Sequence, residues 1–237
     1  MLCQIVLFDG FDPLDVVAPY EVLYAGSMAA PGMLSVELVS AEGPREVPSG
    51  SGLLALRATA RLDPRRADLL LIPGAVGRLG APDPSDAPHD AGDPDATEVP
   101  NAPGGQDSIP ALLARAITTG LPALLKEALD RPDSIVATVC GGSVVLAMAG
   151  LIEGRHATTN RLGLDLLDAT GVVAVDARIV DDGDLVSGAG VTSGLDLGLY
   201  LLERELGPRI AHAVEQLFAH ERRGTVWRAT GPVPAAF

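Results

Sequence analysis

Ser134-Ile135-Val136-Ala137-Thr138-Val139-Cys140-Gly141-Gly142-Ser143-Val144-Val145-Leu146-Ala147-Met148-Ala149-Gly150 is the stretch on which the fold turns. Its β-branched first part reads as a buried parallel strand, and its alanine-rich second part as a helix. A thiol then stands at a tight strand-to-helix turn. Glycines there let the backbone turn sharply and a substrate approach, and the helix start offers unpaired N–H groups. That setting predicts a thiol with a depressed pKa, in a context that exposes nucleophiles in α/β enzymes. The alternative is that Cys140 is a small buried apolar residue, as most free cysteines are.

Working outward, the same pattern of strand and helix recurs. Leu2 to Phe8, Leu34 to Ser40 and Asp68 to Ile72 read as strands, the last ending sharply at Pro73-Gly74. Gly50 to Leu62 reads as an irregular strand or a hairpin around Leu53 to Leu56. Helices are expected over about Leu14 to Ala25, Ile109 to Leu129 with a break near Gly120-Leu121-Pro122, Gly194 to Leu206 and Pro208 to Glu221. Arg155 to Asn160 reads as a short edge strand, and three more short strands follow between Val172 and Ser187. This alternation predicts an α/β fold: a doubly wound, mostly parallel, flavodoxin-like sheet with helices on both faces and a cysteine elbow. Parallel strands gather their loops at their carboxyl ends, so Gly74 and Cys140 fall on one edge.

The chain has 237 residues, enough for one α/β domain, expected over 1–221, with 222–237 as a tail. Its 47% hydrophobic but 3% aromatic composition favours a helix-covered parallel sheet built from Leu, Val, Ala and Ile. Half of the net charge of -14 comes from Leu79 to Ser108, where six Asp and one Glu stand with no Lys or Arg. That segment is also rich in proline and poor in large apolar residues, so 79–106 is expected to be a disordered insert or a lid. No basic stripe exists to neutralise phosphates, which argues against nucleic acid. No apolar run approaches the ~20 residues that span a bilayer, and the first residues lack the basic start of a signal peptide. With only two cysteines, Cys3 and Cys140, a reducing cytoplasm is the expected setting. A small-molecule substrate and a homodimer are expected.

A nucleophilic cysteine needs a base or an activating field. Of the four histidines, His89 lies in the acidic segment, and His212 and His220 lie on the last helix. His156 is the histidine nearest the elbow helix in sequence and the one candidate for touching substrate. No His/Cys/Asp cluster has metal-ligand spacing, so no metal or other cofactor is expected. Asp15 opens the first helix among apolar neighbours. It reads as a first-turn dipole partner, or, on the same sheet edge as Cys140, as an acid whose apolar setting raises its pKa.

Four segments together resemble a known family. They are Phe11 to Glu21 with Leu14-Asp15 and Pro19-Tyr20-Glu21; Leu70 to Ala75; Thr138 to Asn160, including Ala149 to Arg155 and Ala157-Thr158-Thr159; and Gly188 to Leu199. The chain resembles the ThiJ/PfpI superfamily of the class I glutamine amidotransferase-like fold. Within it the likeness is greatest to the isonitrile hydratases and to the ligand-binding domain of AraC-type regulators. The resemblance implies Cys140 as nucleophile, Asp15 as its acidic partner, and an anion site of the N–H groups of Gly74 or Ala75 and of Gly141. His156, Thr159 and Asn160 are the pocket candidates. The implied reaction is hydration of an isonitrile to an N-formamide through a thioimidate. Alternatives are a glyoxalase- or deglycase-like enzyme on α-oxoaldehydes and a non-catalytic ligand-binding domain. Against the last, AraC-type regulators append two helix-turn-helix units, and the stretch after Leu206 is expected to be too short for them. The chain departs from the hydratases in carrying Gly141 where Thr is usual, Asn160 where His is common, and the acidic insert.

Overall fold

The computed structural model describes residues 1–80, 107–233 and 235. The chain opens with β1 (Leu2–Val6) and α1 (Pro13–Ala29), then β2 (Ser35–Ser40), β3 (Arg45–Pro48), β4 (Ala55–Ala58), β5 (Ala60–Arg61) and β6 (Leu69–Ile72). Two helices follow, α2 (Ile109–Ala116) and α3 (Leu121–Leu129), and then β7 (Ile135–Val139) and α4 (Gly142–Met148). The remainder is β8 (His156–Ala157), α5 (Leu164–Ala169), β9 (Val173–Ala174), β10 (Ile179–Asp181), β11 (Leu185–Gly188), α6 (Ser193–Leu206) and α7 (Pro208–Phe218).

Seven strands form one sheet in the order β10-β11-β7-β6-β1-β2-β5. All neighbours are parallel except β10, which runs antiparallel to β11. The central strands explain their own position. All four residues of β6 are buried, as are the last four of β7, and a strand apolar on both faces needs helices on both sides. The result is the mostly parallel flavodoxin-like arrangement that the alternating pattern predicts.

Asp12 begins α1 by accepting from the Leu14 N–H at 2.9 Å, with Pro13 in the first turn, where its missing N–H costs nothing. Across from it, α6 approaches unusually closely. A methyl group on Gly194 would lie 2.9 Å from Pro19 Cδ, so glycine is what permits this contact. The carboxyl ends of β1, β6 and β7 thereby meet the start of α1 at one edge of the sheet.

Three regions differ from the expectation. The hairpin around Leu53 to Leu56 begins earlier, because β3 pairs antiparallel with β4 and the exposed Leu53 and Leu54 sit near its turn. β8 does not join the main sheet but pairs with β9 in a ribbon of its own. Beyond Glu221, Trp227 adds to the outer edge of β10, accepting from the Asp181 N–H and donating to Ile179 O at 2.9 Å each. An edge strand's open N–H and C=O groups favour such an addition, and this part of the expected tail packs on the sheet. Of the acidic segment, 81–106 lies outside the described residues. Its flanks are joined, since Arg78 N–H donates to Asp107 O and Ile109 N–H to Arg78 O, each at 3.0 Å.

Candidate active site

Cys140 follows β7 directly and precedes α4 with φ +53°, in the left-handed region that a side-chain-bearing residue seldom occupies. Its neighbours hold it there. Its N–H donates to Gly188 O at 2.9 Å. Its carbonyl accepts from Thr159 Oγ1 at 2.7 Å and from Ser143 Oγ at 3.3 Å. Ser143 also reaches Thr158 O, and the Thr158 N–H donates to Ser187 Oγ at 2.8 Å. A strained residue persists where its surroundings over-determine it, and these hydroxyls do so here.

Asp15 stands in the first turn of α1 and is wholly buried. Its Oδ2 accepts from the Gly74 N–H at 2.9 Å, and its Oδ1 meets no hydrogen-bond partner among the described residues. Gly74 brings the segments together. A methyl there would lie 2.5 Å from Gly141 N and 2.9 Å from Asp15 Oδ2. The loop Gly10 to Asp12 is tied in as well, by Asp12 N–H to Gly74 O at 2.9 Å and Val76 N–H to Gly10 O at 3.2 Å. Leu113 of α2 forms the apolar side, since a methyl on Gly141 would touch its Cδ1 at 3.5 Å. Asn160 completes the cluster, donating from Nδ2 to Cys140 Sγ at 3.6 Å.

Residues 102–204 match the DJ-1/PfpI family. The isonitrile hydratase of Pseudomonas putida is 42% identical over 80 residues, covering 34% of this chain and 35% of the hydratase. The HTH-type transcriptional regulator CdhR of Pseudomonas aeruginosa is 35% identical over 92 residues, covering 38% of this chain and 27% of the regulator. The matched segments thus span about a third or less of these relatives. A THiJ/PfpI family protein from Pseudomonas syringae superposes with a TM-score of 0.69 at 23% identity, covering 94% of this chain and 76% of that one, a likeness of fold.

Around Cys140 the electrostatics correct one expectation from the sequence. The Cys140 thiol is not depressed but pushed up to about 12, chiefly by burial and then by the charge of Asp15. The Asn160 amide and the Gly141 N–H pull it down, by less. A turn at a helix start lowers a thiol pKa only where solvent or a cation supports the charge, and Cys140 is nearly enclosed. Burial likewise holds the Asp15 carboxyl well above its ordinary value, helped by the charge of Asp12 and opposed by the Gly74 N–H and by Cys140. Both groups favour their protonated forms.

The remaining predicted positions separate. Gly74 offers no free N–H to an anion, because Asp15 takes it. Thr159 is buried, with its hydroxyl on the Cys140 carbonyl. His156 is hydrogen-bonded through Nδ1 to Asp182 Oδ1 at 3.0 Å and packs on Trp227, with ring centroids 5.1 Å apart. Asp182 lies in the turn between β10 and β11, at the opposite edge of the sheet from Cys140. His220 is bound to Asp196, His212 faces Glu215, and His89 lies outside the described residues. Among the described residues no group of three metal-ligating side chains comes together. Sequence reasoning missed the bracing by Ser143 and Ser187. Ser143, three positions after Cys140 in the first helical turn, was the readable signal; Ser187 carried none.

Proposed function

We propose that this protein is a cofactor-independent cysteine enzyme that hydrates a small isonitrile to the N-formamide, with Cys140 as nucleophile and Asp15 as its proton relay. The observation that carries this reading is the buried Asp15 carboxyl beside the thiol, with one oxygen fixed by Gly74 and the other unpartnered. The partial match to an isonitrile hydratase supports it.

The raised pKa values suit this substrate. An isonitrile carbon has a lone pair and accepts a proton, so the reaction can begin from a neutral carboxyl and a neutral thiol. Asp15 gives its proton to the terminal carbon as Cys140 Sγ bonds to that carbon, and the thiol proton passes to Asp15. The product is a thioimidate, R–N=CH–S–Cys140. Water then adds to the same carbon, one of its protons going to nitrogen and the other through Asp15 to the departing sulfur. The formamide leaves, and thiol and carboxyl are restored. No step requires a separated ion pair in a closed site, where charge separation is costly. The N–H groups of Ala75 and Gly141, on two adjoining turns, are the donors for negative charge developing at the reacting centre.

The reading includes no nucleic-acid or membrane partner, and the net charge of -14 disfavours the phosphates of the former. Cys3 and Cys140 are free thiols, which suits the cytoplasm. A homodimer would cover the exposed apolar row Leu14, Val17, Tyr24 and Met28 on α1, and sedimentation tests it.

The deciding experiment incubates wild type, Cys140→Ser and Asp15→Asn with aliphatic isonitriles, methylglyoxal and simple amides. Formamide release by the wild type alone supports the proposal. Turnover of methylglyoxal instead would favour an α-oxoaldehyde enzyme. The likeness to a transcriptional regulator favours one further reading, a ligand-binding domain without turnover. An isonitrile that raises the melting temperature and is never consumed would establish it.

A further inference from the structure

Asn160 faces the site with both ends of its amide engaged. Its Oδ1 accepts from the Leu162 N–H at 3.1 Å, starting the short helical turn Arg161–Gly163. That bond settles which end of the amide is oxygen, so Nδ2 is the end that meets Cys140 Sγ at 3.6 Å. Asparagine is a common cap and an amide N–H is a common donor. Here one side chain does both, with the cap aiming the donor.

We infer that Asn160 is a positioning residue for Cys140: its capped amide holds the sulfur in place and stabilises the negative charge that develops on it during bond formation and release. The Gly141 N–H also acts on the sulfur, but among the described residues Asn160 supplies the side-chain donor. The charged neighbours that act on Cys140 are Asp15 and Asp12, both from the start of α1 and both opposed to a negative sulfur. The Gly74–Ala75 turn and Leu113 of α2 present no titratable side chain. The described histidines are bound elsewhere, to Asp182, Glu215 and Asp196. A neutral donor that does not ionise also leaves Asp15 as the single relay, so the site carries one acid rather than an acid and an imidazole.

The inference rests on Cys140 being the nucleophile, yet it is tested on the thiol itself and does not depend on the substrate. Asn160→Asp and Asn160→Ser both keep an oxygen for the Leu162 N–H and both remove the donor to sulfur. Alkylation by iodoacetamide is followed against pH, with peptide mapping to separate Cys140 from Cys3 and melting curves to confirm the fold. Each variant is expected to fold and to alkylate Cys140 about tenfold more slowly at a given pH, the loss of one hydrogen bond to a charged group. Asp, which adds a negative charge, should be slower than Ser. Should one variant fail to fold, the other decides. Unchanged alkylation in a folded variant would show that Asn160 only caps its turn and would overturn the inference. Turnover that survives Cys140→Ser would instead sink the proposed reaction while leaving the alkylation result standing.

Discussion

The Gly74 N–H donates to Asp15 Oδ2 at 2.9 Å, joining the end of one strand to the start of a helix 59 positions away in sequence. The bond fixes the carboxyl against the turn that carries Cys140, and it uses an N–H group that an anion would otherwise occupy. Asp15 is thereby a group with one held oxygen and one free one, in a place where charge is disfavoured.

Asp15→Asn separates a proton relay from a first-turn residue that only braces Gly74. Asn can still accept from the Gly74 N–H, so the fold is retained. Formamide production is expected to fall about 10²-fold or more, the size of a positioned acid–base contribution. Steady-state rates on an isonitrile that the wild type hydrates check this, and an unchanged kcat refutes it.

The same variant has a stability signature. Asp15's pKa in the folded protein lies above the ordinary 3.8, so the native state holds this proton more tightly than the unfolded state does. That contribution is fully present below the ordinary value and is lost as the pH rises through the folded one. Asp15→Asn loses nothing over that range. Its melting temperature relative to wild type should therefore climb as the pH rises above the ordinary 3.8 toward the raised folded value. A gap that stays flat with pH would show that Asp15 is not perturbed.

Thiol reactivity should follow the raised pKa of Cys140. Iodoacetamide is expected to label the native protein slowly at neutral pH and faster as the pH rises, because only the thiolate attacks. Cys3, wholly buried and raised further by burial alone, should react only on unfolding. Mass mapping of the labelled cysteines checks both. Fast labelling of Cys140 below neutral pH would restore the depressed thiol.

Gly74→Ala should damage fold and site together. Its methyl would sit 2.5 Å from Gly141 N and 2.9 Å from Asp15 Oδ2, against backbone and a fixed carboxyl. Such overpacking costs about 1–3 kcal/mol, and Asp15 must move. Gly141→Ala meets nothing closer than Gly74 Cα at 3.4 Å and should be the milder change. Melting curves of the two variants rank them.

Replacing 81–106 with a short Gly-Ser linker should leave the melting temperature nearly unchanged. The backbone bonds between Arg78, Asp107 and Ile109 already close the ends of the segment. A large drop in melting temperature would show that the segment contributes to the core. A lost activity with an unchanged melting curve would mark it as part of the substrate path.

The sequence by itself determined the strand-turn-helix around Cys140, the apolar runs of β6 and β7, the break between α2 and α3 and hence the layered sheet, since these are written in neighbouring residues. Burial on both faces makes a strand uniformly apolar, and glycine or proline marks where it must turn. Only the tertiary structure decided what the turn contains. Asp15 and Cys140 lie far apart in the chain, and their mutual effect depends on a fold that encloses both, so a thiol that local context would lower is instead raised. His156 reads as the histidine nearest the elbow, yet α4 and the turns after it carry it to Asp182 at the other edge, whereas Asn160, a few residues on, arrives at the sulfur. Trp227 docks on β10 because an unpaired strand edge offers backbone groups that no composition reveals. Side-chain chemistry is local, but desolvation and the pairing of charges belong to whatever the chain brings alongside.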